Sequence, residues 1–156
     1  MSGDTLTHQH DHSACVDSAM TSAETICRER GLRLTAMRRR VLRLVWSSHR
    51  PVGAYDLLEQ LGGDGKRIAP PTVYRALEFL RDAGLVHRLD SLNAFVGCAD
   101  PGAPHHGQFL ICRQCAQVTE IDATAVSKAV IDSAMDEGFV AEQQMLEVQG
   151  ICAACR

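Results

Sequence analysis

Residues 69–98 read APPTVYRALEFLRDAGLVHRLDSLNAFVGC, and this stretch decides the fold. Pro70 and Pro71 preset the backbone for the first turn of a helix, where a missing N–H costs nothing, and Gly84 ends it. Between them Val73, Ala76, Leu77 and Leu80 recur at helical spacing as a stripe to be buried, which turns Tyr74, Arg75, Glu78 and Asp82 outward. Two short extended runs follow, Leu85–Leu89 and Ala94–Cys98, joined by Asp90-Ser91-Leu92-Asn93 in the manner of a hairpin. Helices followed by a hairpin predict a winged helix-turn-helix, with the hairpin as wing. Recognition helices place their N-terminal residues against base edges in the major groove. Arg75 can bond two acceptors of one guanine, and Tyr74 offers a ring and a hydroxyl. Thr72 shares their first turn.

Upstream of this stretch the pattern is also helical. Thr35 is an N-cap for a helix whose apolar positions Met37, Val41, Leu44 and Val45 share a face, and Arg38, Arg39, Arg40 and Arg43 crowd the remaining surface. After Pro51 and Gly53, Ala54–Leu61 reads as a short helix closed by Gly62-Gly63. Arg38, Arg39, Lys66 and Arg67 are candidates for phosphate contacts, which position a protein on a duplex without specifying sequence. Residues 22–89 carry 13 Lys/Arg against 7 Asp/Glu, whereas residues 90–156 carry 3 against 9. A basic half joined to an acidic half points to polyanion binding at one end. Residues 1–21 are polar, include His8, His10, His12 and Cys15, and are expected to form a solvated, disordered tail with at most weak metal affinity.

Downstream of a Pro/Gly-rich hinge over residues 99–107, two Cys-x-x-Cys pairs stand out, Cys112/Cys115 and Cys152/Cys155. Together they supply four thiolates, the donor set of a closed, tetrahedral structural zinc site. The interval between the pairs is wider than in a compact zinc ribbon, so the structure between them must bring them together. That structure reads as strand (Gln108–Cys112), turn, strand (Gln117–Ile121), helix (about Thr124–Glu137) and strand (about Phe139–Val148). The helix carries Val126, Ala129, Val130 and Ser133 on one face, with Ile131 and Met135 beside it. So much apolar surface on so small a unit predicts burial against a second copy, most simply in a C2 dimer. The expected fold class is therefore α+β, with a winged-helix domain over residues 22–98 and a small zinc-stapled α/β dimerisation domain over residues 108–156.

The segments GLRLTAMRRRVL, AYDLLEQL, PPTVYRALEFLRDAGLVHR, the loop ending in His105-His106, and FLICRQCAQVTEI together resemble the ferric uptake regulator family, and most of all its zinc uptake branch. The likeness runs from about residue 22 to residue 156. It implies a dimeric, metal-activated transcriptional repressor. It also implies a second, regulatory zinc held by His87, Cys98, His105 and Glu120, with His106 as an alternate, and so two zinc ions per protomer. Two imidazoles, a thiolate and a carboxylate are all ordinary zinc donors. One departure is visible: the family commonly has Thr-Pro-Gln-Arg where this chain has Thr35-Ala36-Met37-Arg38. No His stands in the last strand, so a further metal site found in some relatives is not expected. The resemblance also implies control of zinc-uptake genes.

Other classes fit less well. No His-x-Glu and no His-Glu-x-x-His occurs, which argues against a zinc deaminase or zinc protease. No small-molecule substrate is expected. No apolar run approaches the ~20 residues of a membrane span, and the first residues lack the basic and apolar regions of a signal peptide. The expected compartment is the cytoplasm, where thiols stay reduced and free for metal. Two rivals stay open on the residues alone: an iron or peroxide sensor of the same family, and a zinc-stapled interaction module without DNA binding.

Overall fold

Val16, Met20, Ala23 and Cys27 recur every three or four residues and close one face of a helix, His12–Glu29 (α1), against the N-terminal core. The computed structural model describes residues 12–48, 50–63, 65, 67–103 and 107–156. The expected solvated tail is thus corrected over residues 12–21, which are helical. Small and polar residues between the apolar ones hid the stripe, and Met20 becomes buried only once the next helix is in place.

That helix, Ala36–Trp46 (α2), starts where Thr35 predicted, with the Thr35 hydroxyl accepting from Arg38 N–H at 3.4 Å. Val41, Leu42 and Val45 are its buried positions, while Leu44 and Met37 are only partly covered. Ala54–Gly62 (α3) follows, its Asp56 carboxylate accepting from Gly53 N–H at 3.2 Å. Pro70–Asp82 (α4) buries Val73, Ala76, Leu77 and Leu80, as its sequence requires. Gly84 adopts φ +72°, and Leu85 N–H reaches back to the Leu80 carbonyl at 2.8 Å, satisfying an end carbonyl of the helix.

Val86–Leu89 (β1) and Ala94–Gly97 (β2) then pair antiparallel, with Val86 opposite Gly97 and Leu89 opposite Ala94. Asn93 at φ 46° closes the turn. A bridge between Val52 and Phe95 ties this wing to the entry of α3. Gly97 is required for close approach: a Cβ there would lie 2.2 Å from Trp46 Cε2. The indole therefore packs directly on the backbone of the wing.

The C-terminal unit is a three-stranded sheet in the order β4-β3-β5, built from Gly107–Cys112 (β3), Val118–Glu120 (β4) and Met145–Gly150 (β5). β4 runs antiparallel and β5 parallel to β3, with Thr124–Asp136 (α5) in the crossover. The last strand is shorter than expected, and residues 139–144 lie outside it. β5 pairs residue for residue with all six positions of β3, from Gly107–Met145 to Cys112–Gly150, so residues before Met145 have no strand to pair with. One face of the sheet packs Phe109 and Ile111 on Leu89 and Val96 of the wing, which joins the two units. α5 buries only Ser127 fully and leaves Val126, Val130 and Met135 exposed, Met135 by 67%. No described helix is long and apolar enough to cross a membrane.

Candidate metal centres and nucleic-acid interface

Parallel pairing of β3 with β5 solves the problem of the wide interval between the thiol pairs. Cys112 ends β3 and Cys152 follows β5, and Arg113 N–H donates to the Gly150 carbonyl at 2.9 Å, so both turns leave the sheet side by side. Cys115 sits in a turn completed by Ala116 at φ 60°, and Cys155 in a short 3-10 turn, Ala153–Cys155. All four sulfurs lie within 4.8 Å of one another. The Sγ atoms of Cys115 and Cys152 are 3.8 Å apart. Sulfurs placed at ~2.3 Å around a tetrahedral zinc are separated by about 3.8 Å, so the set fits that ion.

The electrostatics agree. N–H groups of Cys152 and Cys115 hold the Cys112 thiol down to about 6. Sharing with the neighbouring Cys152 sulfur, then burial and the other two thiols, push Cys155 up to about 12. Four thiolates cannot accumulate at this spacing without a cation among them, and a divalent metal reverses that penalty.

A second cluster straddles the two units. His87 stands on β1, Cys98 directly after β2, and Glu120 at the end of β4, and their donor atoms also lie within 4.8 Å of one another. His87 Nε2 is 3.2 Å from Glu120 Oε1, and Glu120 Oε2 accepts from Ala99 N–H at 3.2 Å. The edge of Phe109 meets the His87 ring, with centroids 5.1 Å apart, and fixes its orientation. Gly107 makes room for this: a Cβ there would be 2.8 Å from the Phe109 ring and 3.5 Å from His87 Nδ1. Burial, followed by the Glu120 carboxylate, pushes the Cys98 thiol up to about 12, against which an N–H of Asp100 works. One imidazole, one thiol and one carboxylate, all sheltered from water, fit a zinc ion short of one ligand. His105 and His106 lie outside the described residues.

On the winged helix, Thr72, Tyr74 and Arg75 are exposed on the first turns of α4, and Arg75 makes no ion pair among the described residues. Sequence reasoning missed Tyr55 of α3, which is 76% exposed and lines a cleft of about 390 Å³ with Tyr74, Arg81 and Arg88. The signal was present: Ala54, Leu57 and Leu61 form the buried stripe of α3, which forces Tyr55 to the outside. Arg38 and Arg39 are engaged within the chain. The Arg38 guanidinium lies 3.5 Å above the Phe79 ring and donates to the Arg33 carbonyl, while Arg39 pairs with Glu24. Arg67 is exposed, and Lys66 lies outside the described residues.

A winged helix-turn-helix unit joined through a shared donor cluster to a thiol-knuckled sheet defines a two-part, metal-binding helix-turn-helix protein. The chain belongs to the ferric uptake regulator family, whose model matches residues 29–149. The zinc uptake regulation protein of Escherichia coli (strain K12) is 39% identical over 137 residues, covering 87% of this chain and 80% of that one. A solved zinc uptake regulator complexed with zinc and DNA superposes with a TM-score of 0.85 at 38% identity, covering 90% of this chain and 94% of that one. The holo form of XcZur gives 0.82 at 45% identity, covering 89% and 97%, whereas its apo form gives only 0.54 at 44%, covering 91% and 98%. This chain is thus more similar in overall structure to the holo form than to the apo form.

Proposed function

We propose that this protein is a zinc-responsive transcriptional repressor that binds operators as a homodimer when zinc is bound and controls zinc-uptake genes. The observation that carries the reading is the His87–Cys98–Glu120 cluster, whose donors come from both sides of the junction between winged helix and sheet. Cys112, Cys115, Cys152 and Cys155 would hold a structural zinc. His87, Cys98 and Glu120 would hold the regulatory one, with His105, or His106 in its place, as fourth ligand. The ion supplies the positive charge that lets a buried thiolate and carboxylate share one pocket.

The chain's own residues do the rest. Glu120 and His87 draw the sheet and the wing together, and this sets the distance between the recognition helices of a dimer. A pseudo-palindromic operator needs that distance matched to the helical repeat of DNA. The exposed side of α5, with Leu110 and Val148 abreast on the outer face of the sheet, gives a second copy an apolar surface to cover. Tyr74, Arg75 and Thr72 face base edges. Lys66 and Arg67 face phosphates, and Arg38 and Arg39 join them by exchanging their internal partners.

Selection from a pool of random duplexes with zinc present is expected to enrich a palindromic site, and a chelator that strips only the exchangeable zinc is expected to abolish binding to it. Affinity should fall steeply with salt, since each neutralised phosphate releases counterions. No enrichment, or binding indifferent to the chelator, would overturn the reading. Arg75→Ala is expected to cost about 1–3 kcal/mol and to relax base preference at one position of each half-site, measured by competition with single-base variants of the enriched sequence. Retained discrimination would remove α4 from the groove.

A further inference from the structure

Glu120, Phe109 and Glu147 stand abreast across β4, β3 and β5, each of the two acids being the direct cross-strand partner of Phe109. Side chains so paired project from the same face of a sheet, here the face against the wing. Glu120 meets the base of the wing at His87 and Ala99. Glu147 meets its tip: one carboxylate oxygen accepts from Asp90 N–H at 2.7 Å and the other from Ser91 N–H at 3.1 Å. The residues contributing these N–H groups lie 56 and 57 positions away in the chain, on the opposite side of the junction.

We propose that Glu147 is a metal-independent clasp that fixes the orientation of the wing, and with it the recognition helix, on the zinc-loaded protein. A single point of attachment stops two bodies from separating but lets them pivot. His87 lies on β1 and Asp90 follows its last residue, three positions on, which makes a lever of about 10 Å. Fastening both ends of that lever to one rigid sheet removes the pivot. Phe109, wedged between the two carboxylates against His87 and Leu89, supplies the apolar floor. Two successive backbone N–H groups closing on one carboxylate make charge-assisted bonds, stronger than neutral ones. Asp90 and Ser91 have no other acceptor for these N–H groups among the described residues, so removing the carboxylate leaves both donors without it. Glu147 is thus a positioning residue that acts through the wing.

This role rests on the reading of the protein as a zinc-dependent DNA binder, but the clasp itself is measurable without DNA. Amide hydrogen exchange is compared for the zinc-loaded full-length dimer and its Glu147→Gln variant, which keeps the shape and loses the charge. Exchange at Asp90 and Ser91 is expected to quicken by about tenfold, while exchange at Ala99 and zinc affinity in competition with a chromogenic chelator stay unchanged. Affinity of the zinc-loaded variant for the enriched duplex is expected to fall by roughly fivefold, the size of a modest coupling between sites. Should Glu147→Gln fail to fold, Glu147→Asp, one methylene shorter, carries the same measurement. Unchanged exchange at both amides overturns the clasp. Faster exchange with full DNA affinity overturns its role in orientation, and a fall in zinc affinity parallel to that in DNA affinity reassigns Glu147 to the metal site. If the wild-type protein ignored DNA altogether, the functional reading would fail while the exchange result still decided the clasp.

Discussion

Cys112→Ser or Cys155→Ser is expected to unfold the C-terminal unit and leave the winged helix standing. Structural zinc contributes on the order of 10–16 kcal/mol to the folding of small thiol-ligated domains. A whole domain is stable by only about 5–15 kcal/mol, so loss of the ion exceeds what the sheet can supply. Among the described residues, Phe109, Ile111 and Val118 are those of the C-terminal unit that join an apolar cluster, and they lean on Leu89 and Val96 of the wing. The N-terminal core from Met20 to Phe95 is separate and larger. Trp46, the single tryptophan, lies at that core's margin on the backbone of Gly97 and so reports on the winged-helix unit. In either variant the Trp46 emission maximum should stay near that of the wild type, zinc content should fall by at least one ion per protomer, and sedimentation should show monomer or aggregate. A well-folded dimer with undiminished zinc would refute the assignment of these thiols.

The features legible in the sequence are those whose causes are local. Pro70-Pro71, the Val73–Leu80 stripe and Gly84 define α4 without reference to anything distant, and the structure reproduces them. The same holds for the two thiol pairs, where spacing alone puts two donors on one turn. What stayed hidden depends on partners. The first part of α1, residues 12–21, reads as a polar tail until α2 covers Met20, and the end of β5 is set by the length of β3.

The His87–Cys98–Glu120 cluster is the clearest case. His87, Cys98 and Glu120 have no common spacing, and only the wing register and the packing of Phe109 bring them together. Their grouping in the sequence came from family resemblance, and the structure supplies its physical cause. Charge counting is blind to partners of a different kind. Arg38 and Arg39, candidates for phosphate contacts, are engaged by Phe79, Arg33 and Glu24 within the chain. A basic patch in a sequence cannot distinguish charge offered to a partner from charge used for packing.

The second large effect falls on Cys98. Cys98→Ser is expected to preserve the fold, the dimer and the four-thiol zinc, and to reduce zinc-dependent DNA affinity to that of the zinc-stripped wild type, a loss of about 5–150-fold given typical couplings of 1–3 kcal/mol. Serine keeps the size of the side chain but removes the thiolate, the softest of the donors and the one that tilts the site toward zinc. A pH series gives an independent reading. With its thiol pushed up to about 12 by burial and by Glu120, Cys98 carries its proton throughout pH 6–8 in the zinc-free protein. Zinc must displace that proton, so zinc affinity should rise about tenfold per pH unit from this group alone. The direction follows from competition: lowering pH favours the protonated, zinc-free form. In Cys98→Ser that component disappears, and the slope of log affinity against pH should drop by about one. Zinc-dependent DNA binding at wild-type strength in the variant, or an unaltered slope, would place the switch elsewhere than at the junction of wing and sheet.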